Sequence, residues 1–252
     1  MMRKEIDSLT VKQFDNRLAM GRAAAQAVAD TMLALLGKQT AVNMVFAAAP
    51  SQNEFLEALG CYNAIDWTRV NAFHMDEYIG LPTEATQRFG NFLKERLFGK
   101  LPFRSVNYLN GNATDADGEC RRYAGLLMEY PIDIVCMGIG ENCHIAFNDP
   151  HVADFNDAAL VKVVDLDTAC RQQQVNDNCF DVLAAVPTHA LTLTIPALMA
   201  AGRVFCMVPG PNKAKAVRHT LLADITPLYP STMLRLHRNA ILYIDNESAA
   251  RL

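Results

Sequence analysis

The chain's 252 residues are 51% hydrophobic and 20% charged, the balance of an ordinary folded domain, which excludes disordered, collagen-like and disulfide-scaffold classes. Its 23 basic and 27 acidic residues leave a net charge of −4, and no basic run exceeds Arg121-Arg122, so no nucleic-acid footprint is expected. Residues 1–16 mix charges throughout and lack the apolar core of a signal peptide, and no segment approaches the about 18 apolar residues of a membrane span; a cytoplasmic protein without membrane contact is expected.

In chain order, Leu18, Ala25, Val28, Met32, Leu35 and Leu36 recur at helical spacing and predict a helix over 10–37 closed by Gly37. The texture then changes to short apolar runs rich in strand formers at 41–48, 70–73, 132–137, 160–164, 190–195, 204–208 and 241–244. Helical patterns lie between them at 52–59, 89–98, 115–129, 212–222 and 231–237. Apolar strands without polar alternation, spaced by helices, describe an α/β chain with a doubly wound, largely parallel sheet covered on both faces. No repeat or long linker interrupts it, so residues 1–252 read as one domain. The seven cysteines are odd in number and form no Cys-x-x-Cys pair, the pattern of reduced thiols, several of them small core residues.

In such sheets ligands bind beyond the carboxyl ends of the strands, where the polar segments 49–52, 75–78, 138–150 and 209–213 would converge. Gly138-Ile139-Gly140-Glu141-Asn142-Cys143-His144 fails as a dinucleotide fingerprint because Cys143 occupies the third glycine position. As a metal site it is poor, since no His-x-x-x-His or Cys/His pairing supports His144 and Asp149. What remains is a glycine turn followed by a histidine flanked by Asn142 and Asp149. A carboxylate or amide on one imidazole nitrogen frees the other for proton transfer, and a satisfied structural histidine is the competing reading. Asp76 and Glu77 read either as a solvated helix cap or, at a strand end with restricted water, as a general base; His74 would share a side with Asp76. The other histidines read as structural. Ser51 and Lys213, each after a strand and near a helix start, could cradle a phosphate.

Met75-Asp76-Glu77-Tyr78-Ile79-Gly80-Leu81-Pro82, with Gly138-Ile139-Gly140 and His144-Ile145-Ala146-Phe147-Asn148-Asp149-Pro150, closely resembles the glucosamine-6-phosphate deaminase/isomerase family. The resemblance implies a Rossmann-like fold and conversion of an amino-sugar phosphate to a ketose phosphate with release of ammonia, without a cofactor or metal. It implies that His144 assists ring opening, that Asp76 shuttles a proton between C2 and C1, and that Asn142 and Asp149 orient the histidine. Substrate contacts would come from Ala48, Ala49, Ser51, Gln52, Gly138 and Lys213, with Arg171 nearest to the family's phosphate arginine. The family includes monomers and hexamers, which leaves a homo-oligomer open.

The chain departs from the family pattern where the phosphate should sit. Ala48-Ala49-Pro50-Ser51-Gln52 replaces the usual Thr-Gly-Gly-Thr-Pro, which removes two glycines, and Pro50 has no amide to donate. Cys143 stands for a glycine, Asp149 for a glutamate and Asn142 for a common aspartate. Residues tied to allosteric activation find no match after Pro150. These changes predict a kept reaction class with altered substrate or phosphate geometry. Cys143 reads first as a tolerated substitution in a crowded turn, and it is the thiol to test for modification that impairs activity. The rivals are a 6-phosphogluconolactonase, whose motifs differ at Tyr78 and at Ile145-Ala146-Phe147-Asn148-Asp149, and a sugar-phosphate binder without turnover.

Overall fold

A sheet whose strands are apolar on both sides must be covered twice, and the architecture follows from that requirement. The computed structural model describes residues 2–252. The chain runs β1 (Met2–Ile6), β2 (Leu9–Phe14), α1 (Arg17–Leu36), β3 (Val42–Phe46), α2 (Asn53–Gly60), β4 (Val70–His74), β5 (Asp76–Tyr78) and α3 (Phe89–Leu93). It continues through β6 (Ser105–Asn107), α4 (Ala116–Glu129), β7 (Ile134–Met137), β8 (Val161–Asp165), α5 (Thr168–Asn176) and β9 (His189–Leu193). It closes with α6 (Ile195–Met199), β10 (Arg203–Val208), α7 (Ala214–Leu222) and β11 (Ala240–Asp245).

Eight strands form the main sheet in the order β1-β2-β11-β10-β7-β3-β4-β6, parallel throughout except for the β1–β2 hairpin. Successive residues of β3 serve opposite faces. Met44 and Phe46 pack with α1 and α2, while Val45 packs with α4 and α7 in a second core. The expected strands and both covered faces are therefore present, and among the described residues no helix is long and apolar enough to cross a membrane. Strand order reverses between β3 and β7. This is the position where a doubly wound sheet opens a crevice at its carboxyl edge.

Three expectations need correction. Residues 10–14 are strand, not helix: Leu9 and Val11 bury one side of β2 and Phe14 the other, and α1 begins only after Asn16, whose side chain accepts the Ala19 amide. The runs at 160–164 and 190–195 do not join the parallel sheet. They form β8 and β9, which pair antiparallel with β5 in a separate three-stranded sheet. The pattern at 89–98 is two short segments, α3 and a wider turn of helix over Lys94–Phe98.

Candidate active site

The four polar segments that follow β3, β4, β7 and β10 do meet. Ala48, Ala49, Pro50, Ser51, Asp76, Gly138, Gly140, His144, Gly210, Asn212 and Lys213 line one cavity at the carboxyl edge of the main sheet.

Asp76 enters from β5. Its main-chain oxygen accepts from His74 Nδ1 at 2.8 Å, while His74 Nε2 accepts the Leu109 amide at 2.9 Å. Those two bonds require a neutral ring protonated on Nδ1, and burial pushes its pKa down to about 4. His74 is thus a brace for the strand carrying Asp76. Glu77 is also structural: its carboxylate accepts the amides of Tyr78, Phe89 and Gly90. Asp76 has no such partners. Its carboxylate oxygens make no hydrogen bond within the described residues, and burial, then the neighbouring Glu77 charge, raise its pKa well above the carboxylate range. A carboxylate in that condition is a base usable near neutral pH.

His144 is held in a tight loop. Gly140 donates its amide to the His144 carbonyl at 2.9 Å, and Cys143 donates back to the Gly140 carbonyl at 3.0 Å. The imidazole lies directly over Gly140, where a Cβ would come within 2.2 Å of the ring, so only glycine fits. His144 Nδ1 lies 3.0 Å from Asp149 Oδ1, at an angle short of a well-directed hydrogen bond. Asn142 does not touch the ring. Its Oδ1 accepts the His144 amide at 3.1 Å and its Nδ2 donates to Asp149 Oδ1 at 3.0 Å. Burial raises the Asp149 pKa, but the His144 and Asn142 contacts outweigh it and hold the carboxyl below its ordinary range. An ionised Asp149 facing Nδ1 leaves Nε2 as the nitrogen for chemistry.

Both motifs are referenced to one strand. Asp76 pairs with Thr192 across β5–β9, and the Leu193 amide donates to the Met75 carbonyl at 2.8 Å. The Phe147 amide donates to Thr192 Oγ1 at 3.0 Å, and Asn148 Nδ2 donates to the Leu193 carbonyl at 2.8 Å.

At the far end of the cavity, Ser51 and Lys213 lie in 3-10 turns that lead into α2 and α7. Ser51 Oγ accepts from Gln52 Nε2 at 3.0 Å, which leaves its hydroxyl proton for a ligand. Gln52 itself is buried behind the wall, bonded also to the Met207 carbonyl, and does not line the cavity. Gly138 makes room for that pair, since a Cβ there would stand 3.1 Å from Gln52 Nε2. The Lys213 ammonium makes no hydrogen bond within the described residues; burial lowers its pKa, and Asp177 and Glu141 counter in part.

Arg171 is the expectation the structure contradicts. It borders a different depression, beside Ile79 and Val186, and its guanidinium donates to the carbonyls of Leu183 and Val186. The residues α5 turns to the cavity are Gln173 and Gln174, followed by Asp177. Gln173 accepts the Glu141 amide, whereas the buried Gln174 side chain makes no hydrogen bond within the described residues. Arg17, from the start of α1, also lines the cavity; no motif marked it. Cys143 does not offer the accessible thiol that such modification needs. It is buried against α7 with φ +71°, and burial pushes its pKa up to about 11. For a metal, the donors of His144, Asp149 and Cys170 lie within 4.8 Å of one another. Burial and then Asp149 raise the Cys170 thiol well above its ordinary value, so it is not a ready thiolate ligand.

Residues 15–243 match the family model described as glucosamine-6-phosphate isomerases/6-phosphogluconolactonase. The chain is 36% identical over 186 residues to a glucosamine-6-phosphate deaminase of Bacillus cytotoxicus, covering 74% of this chain and 69% of the relative. It superposes on a solved monomeric glucosamine-6-phosphate deaminase with TM-score 0.87 at 27% identity, covering 96% of this chain and 99% of that one. A 6-phosphogluconolactonase of Thermotoga maritima shares the fold with TM-score 0.77 at 19% identity, covering 94% of this chain and 100% of that one.

Proposed function

Since the chain belongs to the family of glucosamine-6-phosphate isomerases and 6-phosphogluconolactonases, we propose that it deaminates a hexosamine 6-phosphate to the ketose 6-phosphate. The observation that carries this reading is a buried, unpartnered carboxylate, Asp76, facing the same cavity as a histidine backed by a second carboxylate, Asp149.

The two groups divide the chemistry. His144, through Nε2, moves the proton between the anomeric hydroxyl and the ring oxygen that opens the hemiacetal. Asp76 then takes the proton from C2 of the open chain, giving an enolamine, and returns it to C1. Water adds to the resulting C2 imine, and ammonia leaves as the ketone forms. One base that reaches adjacent carbons does both transfers, because holding reactants together replaces a second encounter. Lys213, the Ser51 hydroxyl and the amides at the starts of α2 and α7 hold the phosphate.

Incubation with glucosamine 6-phosphate and with its galacto epimer, followed by assays for ammonia and ketose phosphate, tests the reading. Ammonia in equal amount to ketose phosphate is expected from at least one of them. Hydrolysis of 6-phosphogluconolactone with no ammonia from either amino sugar would overturn it in favour of a lactonase.

A further inference from the structure

We propose that Arg17 is the second cation of the anion subsite, a role that rests on the sugar-phosphate reading only for the identity of the anion. Three observations converge on it. The loop at 48–52 supplies fewer donors than a glycine-rich turn, since Pro50 has no amide. Arg171, the arginine expected there, spends its guanidinium on the Leu183 and Val186 carbonyls. And Arg17 lines the cavity together with Ser51 and Lys213.

The donor inventory of Arg17 says how it would act. A guanidinium carries five N–H groups in a fixed plane. Nε pairs with Glu54 Oε1 at 2.5 Å, and Nη2 donates to Glu54 Oε2 and to the Pro50 carbonyl, both at 2.9 Å. Nη1 has no protein partner among the described residues. Glu54 and Pro50 therefore fix the plane of the fork beside the loop and leave both Nη1 hydrogens for a ligand. An oriented guanidinium replaces the lost loop donors with charge-assisted hydrogen bonds, the geometry that suits phosphate oxygens. It enters from a helix start that follows a strand hairpin, outside every motif of the site.

A purely structural role, tying α1 to α2, makes a different prediction from an anion-binding role, and Glu54 separates them. Arg17→Gln should raise KM for glucosamine 6-phosphate and weaken binding of inorganic phosphate in calorimetry by about tenfold or more, with little change in kcat. Glu54→Gln loosens the same tie but keeps the cation, so it should weaken phosphate binding by no more than about threefold. Equal loss of affinity in both variants, or no change in Arg17→Gln, overturns the proposal. Should Arg17→Gln fail to fold, Arg17→Lys decides: phosphate binding weaker than in Glu54→Gln supports a fork that binds the anion, and binding no weaker than in Glu54→Gln refutes it. A wild-type protein that binds phosphate, with variants that show this unequal loss, and that releases no ammonia removes the deaminase reading and leaves Arg17 standing. Ammonia release with an unchanged KM in Arg17→Gln does the reverse, and wild-type protein that binds neither phosphate nor glucosamine 6-phosphate overturns both.

Discussion

Asp76 is an expensive residue. A carboxylate buried without a hydrogen-bond donor is disfavoured in its charged form, and its raised pKa states the same penalty as a proton affinity. The fold bears no cost from Asp76 below the unfolded value near 3.8, where both states hold the proton. The cost grows as pH rises from there toward the raised native value, and above that it is constant. Asp76→Asn should therefore abolish turnover yet raise the Tm at pH 7 to 8 by about 2–4 °C, on the order of 1 kcal/mol for a chain of this size, with the gain vanishing near pH 4. An asparagine variant less stable than wild type at pH 8 would contradict this. Asp76, His144, Ser51 and Lys213 could be brought to one cavity from the sequence because each lies on a polar segment that follows a strand of the main sheet, and the sheet's own geometry gathers such segments. Arg171 was misread because its neighbourhood in sequence said nothing of where the guanidinium turns. Its donors satisfy carbonyls of the turn after α5, a long-range demand that spacing does not reveal.

At the scale of elements, the parallel strands β3, β4, β7, β10 and β11 were readable because continuous apolar runs have few other uses. The start of the chain was not. Val11, Phe14 and Leu18 fall at i, i+3 and i+7, so a helical period persists across what is a strand, a capping Asn16 and a helix. β5 is three residues long, too short for any periodicity, and its pairing with β9 lies 116 positions downstream at Asp76–Thr192. Helix packing also has a residue-level requirement at Gly21. A Cβ there would stand 2.7 Å from Glu54 Cβ and 3.0 Å from the main chain at Phe55. Gly21→Ala gains up to about 1 kcal/mol in helix propensity but must push α2 away, an overpacking cost of roughly 1–3 kcal/mol. We expect the overpacking cost to win, with a lower Tm and a raised KM through a loosened Arg17–Glu54 pair. A variant as stable as wild type with unchanged KM would show that α2 gives way without consequence.

Over the whole molecule, the thiols report how completely the two cores are closed. Cys61 is exposed and Cys179 half-buried, while Cys120, Cys136, Cys143, Cys170 and Cys206 are buried. Titration of the native protein with a disulfide reagent should show one fast thiol and one slow one, with five more appearing only on unfolding. Activity should survive the fast phase, since Cys61 lies outside the cavity; inactivation in step with it would contradict that placement of the active site. The small antiparallel sheet carries a consequence of a different kind. The base comes from one sheet and the histidine loop from the edge of another, yet both are fastened to the consecutive residues Thr192 and Leu193. Those two residues act as a gauge block between parts machined separately: the separation of base and acid is measured off one rigid peptide unit. Drift of the large sheet relative to the small one should therefore carry Asp76 and the loop at Phe147-Asn148 together, with little change in their spacing.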